Sequence, residues 1–369
     1  MRGEAPCDPE GVEGQGEVIQ VTTEPANLAE LDASPDLLQS GFWGFFKAAH
    51  AWKPHAFRVH ADHADFPLLV LTRSLPGSLV LAYVPFGPSY DPVAGRAELL
   101  SLLARALRSS LPRGTLLVRF DLPWTRSGES PAGDGPPRVQ KAQHDMQPAS
   151  TVVVDIAPPL EQVLASMKSK TRYNIRLSSK KGISVVPGGS ADLDQWYAIY
   201  RETSARDRIA IHSRDYYRGL LDAARAYPGV KPTVSLLLAR HDGELLAGNI
   251  VAFWKDRAAY LYGASSGEKR NLMPTYALQW ESIRRAKDAG CLSYDLFGVP
   301  PHPSPGHPMF GLYQFKTGFQ EEILRRWGTW DVPFRPLAYA AYSAAENLRM
   351  TYHRSLKKKL RGRSPGNDA

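Results

Sequence analysis

Residues 233–297 constrain the fold more than any other stretch of this chain. Residues 233–240 and 245–254 read as two strands of a hairpin, and His241-Asp242-Gly243-Glu244 joins them. The Asp-Gly pair supplies the positive φ that a tight hairpin turn requires. A third strand is expected at 258–265. Pro274 can then open a helix whose apolar stripe is Tyr276, Trp280 and Ile283, with Gly290 as its left-handed cap, and 292–297 follows as a buried strand. The order is hairpin, long strand, loop, helix, strand.

A looser version of the same alternation precedes it. Runs rich in Val, Leu and Thr at 18–23, 68–72, 78–84 and 116–121 read as strands, and 92–107 reads as a helix with Leu99, Leu102, Leu103 and Leu107 on one face. Residues 127–140, clustered in Gly, Pro and Ser, form a loop. A second round opens with a Val-rich strand at 151–156 and a helix carrying Leu160, Val163, Leu164 and Met167. The element order is that of the GNAT N-acyltransferase fold, and two copies account for 369 residues, although no clear internal sequence identity marks the duplication. The expected class is α/β (α+β), with two GNAT-like N-acyltransferase domains packed side by side. Residues 1–17 read as a disordered leader. The first domain occupies 18–150 and is completed by about 320–355; the second occupies 151–319. A basic tail covers 356–369, after a helical pattern at 338–360.

Composition narrows the partners. Lys and Arg number 45 against 37 Asp and Glu, a formal charge of +8 that favours phosphate-bearing molecules. Cys7 and Cys291 are too few for a disulfide framework or a thiolate metal site, which points to a reduced, cytoplasmic setting. His60 and His63 lack a further ligand at metal-binding spacing, so no metal is expected. No stretch reaches the roughly 20 apolar residues of a membrane span, and the first 17 residues lack the apolar centre of a signal peptide.

GNAT enzymes that use acyl-CoA cradle its pyrophosphate on a glycine-rich loop at a helix N-terminus. Here that position reads Arg270-Asn271-Leu272-Met273-Pro274-Thr275, without glycine and with one amide donor removed by proline. The acyl donor must be held another way. In several ordered segments the chain resembles the FemABX family. These are Tyr260-Leu261-Tyr262-Gly263-Ala264-Ser265-Ser266, Arg270-Asn271, Met273-Pro274, Leu278-Gln279-Trp280-Glu281, Tyr294-Asp295-Leu296-Phe297-Gly298 and Gly311 to Phe319. Residues 167–176, Met-Lys-Ser-Lys-Thr-Arg-Tyr-Asn-Ile-Arg, are equally typical, and Gln39-Ser40, Trp43, Lys47, Gly87-Pro88 and Arg119-Phe120-Asp121 carry the likeness into the first domain.

The resemblance implies an aminoacyltransferase. It would move an amino acid from aminoacyl-tRNA to the side-chain amine of the diamino acid in a peptidoglycan precursor, either UDP-MurNAc-pentapeptide or lipid II. No coiled-coil arm interrupts the second domain, as in the shorter family members. The enzyme would be a monomer needing no cofactor, cytoplasmic, with peripheral contact to the inner membrane face. The alternative is a GNAT-type enzyme that uses acyl-CoA or modifies another amine.

By the same resemblance Lys316 is the catalytic lysine, stabilising the tetrahedral intermediate or holding the terminal phosphate-ribose of the tRNA; otherwise it is a strand-edge lysine. Phe315 packs the terminal adenosine or fills the core. Lys47, Arg214, Tyr217 and Tyr262 bind the precursor, the first three near its phosphates. Tyr260 rivals Tyr262, the spacing from Arg214 leaves the tyrosine displaceable by one, and Lys47 has a solvated helix face as its rival reading. Asp121, at a strand end, can accept the proton of the incoming ammonium or cap the turn before Pro123. Lys168, Lys170, Arg172 and Arg176 lie in a run of basic residues without an acidic one, a face suited to tRNA phosphates or simply to solvent.

Overall fold

The structure, a computed structural model, describes residues 20–62, 64–92, 95–126, 139–207, 209–300, 304–307 and 309–361. The expected leader with Cys7, His63, the loop at 127–138 and the last eight residues lie outside them.

The first half runs β1 (Val21–Ala26), α1 (Gly41–Ala48), β2 (Lys53–Ala61), β3 (Ala64–Leu75), β4 (Leu79–Val84), α2 (Arg96–Leu107) and β5 (Thr115–Thr125). Next come β6 (Gln140–Lys141), β7 (Ser150–Asp155), α3 (Leu160–Ser166) and α4 (Ser169–Lys180). The second half repeats the first: β8 (Ser184–Gly188), α5 (Leu193–Asp207), α6 (Arg214–Ala226), β9 (Thr233–His241), β10 (Glu244–Trp254), β11 (Arg257–Ser265), α7 (Pro274–Asp288) and β12 (Ser293–Gly298). It closes with α8 (Phe310–Lys316), β13 (Leu324–Pro333) and α9 (Pro336–Arg361). In each half a strand and helices lead into three antiparallel strands, and a helix then crosses to a parallel neighbour, β4 to β5 and β11 to β12. These are two GNAT-like domains.

One sheet runs through both, in the order β1-β2-β3-β4-β5-β13-β7-β12-β11-β10-β9-β8. The join is β13, whose Leu324 and Arg325 pair with β7 while Arg326 to Pro333 pair with β5. The β9–β10 turn forms as its Asp-Gly pair requires, with φ of +50° at Asp242 and +79° at Gly243. Gly290 likewise ends α7 at φ +84°. Three expectations shift. The first strand lies at Val21–Ala26, α2 starts at Arg96, whose guanidinium grips Asp91 with two 2.7 Å bonds, and α9 remains helical through Arg361.

Local chemistry explains the N-terminal motif. Ser40 caps α1 by accepting the Trp43 N–H, and the buried Gln39 amide bonds both the N–H and the carbonyl of Leu69 in β3. Across the halves, Phe42 and Phe46 of α1 share a core with Trp196 of α5 and with Tyr217 and Leu220 of α6. Among the described residues no helix is long and apolar enough to cross a membrane.

A buried ionic network fastens α9 onto this sheet. Arg119 of β5 makes two 2.8 Å bonds to Asp331, its partner across β13, and also binds Glu346 of α9; Tyr339 donates to Asp331 at 3.0 Å. Removing one member of such a network strands an uncompensated buried charge, at a cost of about 3–5 kcal/mol. Arg119→Ala should therefore lower the urea midpoint with little change in the slope of the transition, which equilibrium unfolding will read.

Candidate active site

A cavity of about 510 Å³ opens where β11 departs from regular pairing. Tyr262 stands opposite Ile250 and Tyr260 opposite Val251, so Leu261 is an extra residue that bends the strand. Tyr260, Tyr262, Tyr276, Phe315 and Lys316 line the space. Gly263 has to be glycine, since a Cβ there would lie 1.5 Å from the Tyr260 hydroxyl.

Lys316 ends α8, which removes the strand-edge reading. It is 4% exposed, donates to the carbonyls of Phe297 at 3.2 Å and Gly298 at 2.9 Å, and lies 5.5 Å above the Tyr260 ring. Among the described residues it has no ion pair. Burial draws its pKa down to about 8, opposed by the Asp295 carboxylate. Phe315 packs edge-on against Tyr276 and Phe319 while bordering the cavity, so it belongs to core and pocket together. At the mouth of α7, Met273 takes φ +58°, Pro274 has no N–H, and the amides of Tyr276 and Ala277 bond back to Met273.

The basic helix α4 begins against the Lys316 loop. The Lys168 N–H bonds the Gly318 carbonyl at 2.9 Å, and Gly318 permits this approach because a Cβ would sit 2.2 Å from Thr171 Oγ1. Lys170, Tyr173 and Arg176, three residues apart, face solvent, with Tyr173 62% exposed. Lys168 is exposed and paired with Glu321, whereas Arg172 turns back onto the carbonyls of Ala165 and Met167.

On the far side of Tyr262 lies a second cationic centre. Lys47 of α1 is half-buried among rings, 5.6 Å from Trp43, 5.9 Å from Phe46 and 5.4 Å from Tyr216, which replaces the solvated-face reading. Burial and then the neighbouring Arg73 lower its pKa to about 8. The Tyr216 hydroxyl is 3.5 Å from Lys47 Nζ, and its ring lies between those of His50 and His212. Both histidines are pushed toward neutrality, by burial and then by Lys47. The helix thus turns Tyr216 to Lys47. Tyr217 is fully buried and accepts the His212 N–H at 2.9 Å, packing its ring against Tyr262. Arg214 is partly exposed and bound to Asp194 at 2.8 Å.

Asp121 lies inside β5 rather than at a turn. It is 2% exposed and accepts from the Tyr83 hydroxyl at 3.1 Å and from Thr329 Oγ1 at 3.2 Å. Burial raises its pKa to about 7 against these hydrogen bonds and Arg326. Neither Asp121 nor Lys47 lines the cavity itself; Tyr262 connects Lys47 to it through Tyr216. Sequence reasoning left Tyr216 open as the one-residue displacement from Tyr217 and missed Arg73, Tyr83 and Thr329. Only the Tyr-Tyr pair at 216–217 carried a signal. Among the described residues no group of three His, Cys, Asp or Glu could hold a metal.

Fold and site together define a duplicated N-acyl-transfer scaffold of the GNAT kind, with a buried lysine in a cavity of the second domain. The sequence profile of the FemAB family matches residues 137–228 and 234–347, and the chain belongs to that family. A lipid II:glycine glycyltransferase of Staphylococcus saprophyticus is 21% identical across 89% of this chain and 95% of its own length. Proteins of the same name from Staphylococcus haemolyticus and Staphylococcus epidermidis are 22% and 33% identical, each across 50% of this chain. In those two matches the chain spans 57% and 56% of the relatives' length. The crystal structure of FemX superposes with a TM-score of 0.73 at 17% identity, covering 87% of this chain and 99% of that one, a likeness of fold.

The docking of α4 gives a direct test. Gly318→Ala should destabilise the protein by about 1–3 kcal/mol through overpacking, and adding Thr171→Ala, which removes the clashing hydroxyl, should recover part of that loss in the same thermal melt.

Proposed function

We propose that the protein is an aminoacyltransferase that moves an amino acid from aminoacyl-tRNA onto the side-chain amine of the diamino acid in a peptidoglycan precursor. One observation carries this reading: the solvent-facing basic helix α4 begins on the loop that holds Lys316 in the cavity. A polyanionic donor lying along Lys170, Tyr173 and Arg176 would deliver its acylated end to Lys316. Lys168 would add charge at the helix start, and Arg172 would brace it. The mouth of α7 speaks against acyl-CoA, because its turned-in amides leave a pyrophosphate poorly served.

The acceptor is assigned to the other side of Tyr262. The half-buried Lys47 and the exposed Arg73 near it have no carboxylate partner among the described residues, which suits a diphosphate. Tyr216 would join Lys47 there, with Tyr217 and Arg214 holding α6 in place. The relatives' names favour lipid II, and UDP-MurNAc-pentapeptide carries the same diphosphate. The first domain would hold this precursor and the second the donor.

The reaction exchanges an activated ester for an amide and needs neither ATP nor a redox cofactor. The acceptor amine attacks the ester carbonyl and the Lys316 ammonium offsets the developing oxyanion; the ester C–O bond then breaks, and the amine's proton passes by way of the neighbouring ribose hydroxyl to the departing ribose oxygen. Lys316 must be protonated, so rate falls as pH passes about 8. A descending limb with its midpoint near pH 8 is expected in the pH–rate profile.

Purified protein incubated with labelled aminoacyl-tRNAs and either acceptor tests the reading. Lys316→Met should abolish transfer, and Lys47→Met should raise acceptor KM about 10- to 100-fold, the worth of one charge-assisted bond. Label reaching neither acceptor would sink the proposal, and transfer from acyl-CoA would replace it with the GNAT-type alternative.

A further inference from the structure

The seat of Lys316 depends on an unusual turn. Phe297, near the end of β12, adopts φ +63°, a left-handed conformation costly for a phenylalanine. Here β12 falls out of step with β7: Asp295 stands opposite Val153, and the next pair is Gly298 with Thr151. The turn aims two successive carbonyls at one point, where Lys316 Nζ lies 3.2 and 2.9 Å from them.

Asp295 closes this turn. Its Oδ1 accepts the Phe297 N–H at 2.7 Å, bridging two residues as aspartate does in loops. The same oxygen accepts from Thr151 Oγ1 of β7, and Oδ2 accepts from Arg326 Nη2 of β13 at 2.8 Å. Arg326 is fixed in turn, its guanidinium 4.8 Å above the Phe86 ring of the first domain.

We propose that Asp295 is a positioning residue for Lys316, locking the left-handed turn whose carbonyls aim the ammonium into the cavity, with Arg326 as its anchor from β13. The inference rests on Lys316 being the lysine of the transfer reaction. Asp295 has a second effect through its charge. Among the described residues, Asp295 from β12 and the Tyr260 phenol from β11 lie against Lys316, while Arg206, Asp207, Arg270 and Tyr276 line the same cavity; the Asp295 carboxylate favours the protonated lysine that burial disfavours.

A double-mutant cycle in the full chain separates turn from charge. Asp295→Ala should lower kcat about 100-fold, as for an ångström-scale misplacement of a catalytic group, with acceptor KM nearly unchanged. In a Phe297→Gly background, where the left-handed turn costs little, the same substitution should cost markedly less. Asp295→Asn retains an oxygen for the Phe297 N–H and should fold even if the alanine variant does not. In both Asp295 variants the pH midpoint for acylation of Lys316 by an amine reagent, read by peptide mass spectrometry, should fall about one pH unit below wild type. An equal kcat loss in both backgrounds, or an unmoved Lys316 midpoint, overturns the proposal. The labelling arm needs no turnover, so it decides the matter even if wild-type protein transfers nothing and the functional reading fails alone.

Discussion

The ladder that β13 makes with β5 on one side and β7 on the other turns two similar domains into one sheet. Three of its side chains then reach three different parts of the molecule. Arg326 binds Asp295 beneath the cavity, Thr329 donates to Asp121, and Asp331 binds Arg119 and receives Tyr339 from α9. Backbone pairing sets the register that makes these contacts possible, and a slip of one residue would turn each side chain to the opposite face. The cavity, the buried carboxylate and the C-terminal helix therefore depend on the same strand.

The charged groups at the site share one cause for their unusual acidity. Burial raises Asp121 and lowers Lys47 and Lys316, each toward neutrality. Elsewhere the chain compensates buried charge, as Arg119 shows with two carboxylates. Here the compensation is incomplete: Lys316 rests on carbonyls and Lys47 on ring faces. Groups kept in this state gain most when an opposite charge arrives with a substrate.

Much of the second domain was legible because its signals are local. Asp242-Gly243 fixes a turn, Pro274 and Gly290 bracket α7, and the Val and Leu runs of β9 and β10 are buried in continuous stretches. The strands β2, β8 and β13 escaped reading. Lys53–Ala61 mixes His and Arg with apolar residues, Ser184–Gly188 is a short edge carrying proline, and Leu324–Pro333 is stabilised by partners more than 170 residues earlier. At the site, motif residues such as Lys316 and Tyr262 stood out, but their settings did not. Tyr216 and Tyr217 are adjacent in sequence and about 100° apart around α6; only packing decides which one meets Lys47. Asp295 gave no sign of its role, because the φ of Phe297 is invisible in a string of letters.

The unbroken sheet has a mechanical consequence. Domains joined by a peptide linker can close on their ligands like jaws, whereas here opening the halves would break backbone hydrogen bonds on one flank of β13. The spacing between the Lys47 centre and the Lys316 cavity is thus a ruler built into the protein. With acceptor and donor held at these two centres as proposed, choice among substrates would fall to how well a molecule spans that fixed distance, and an acceptor with a shorter or longer stem would arrive out of reach.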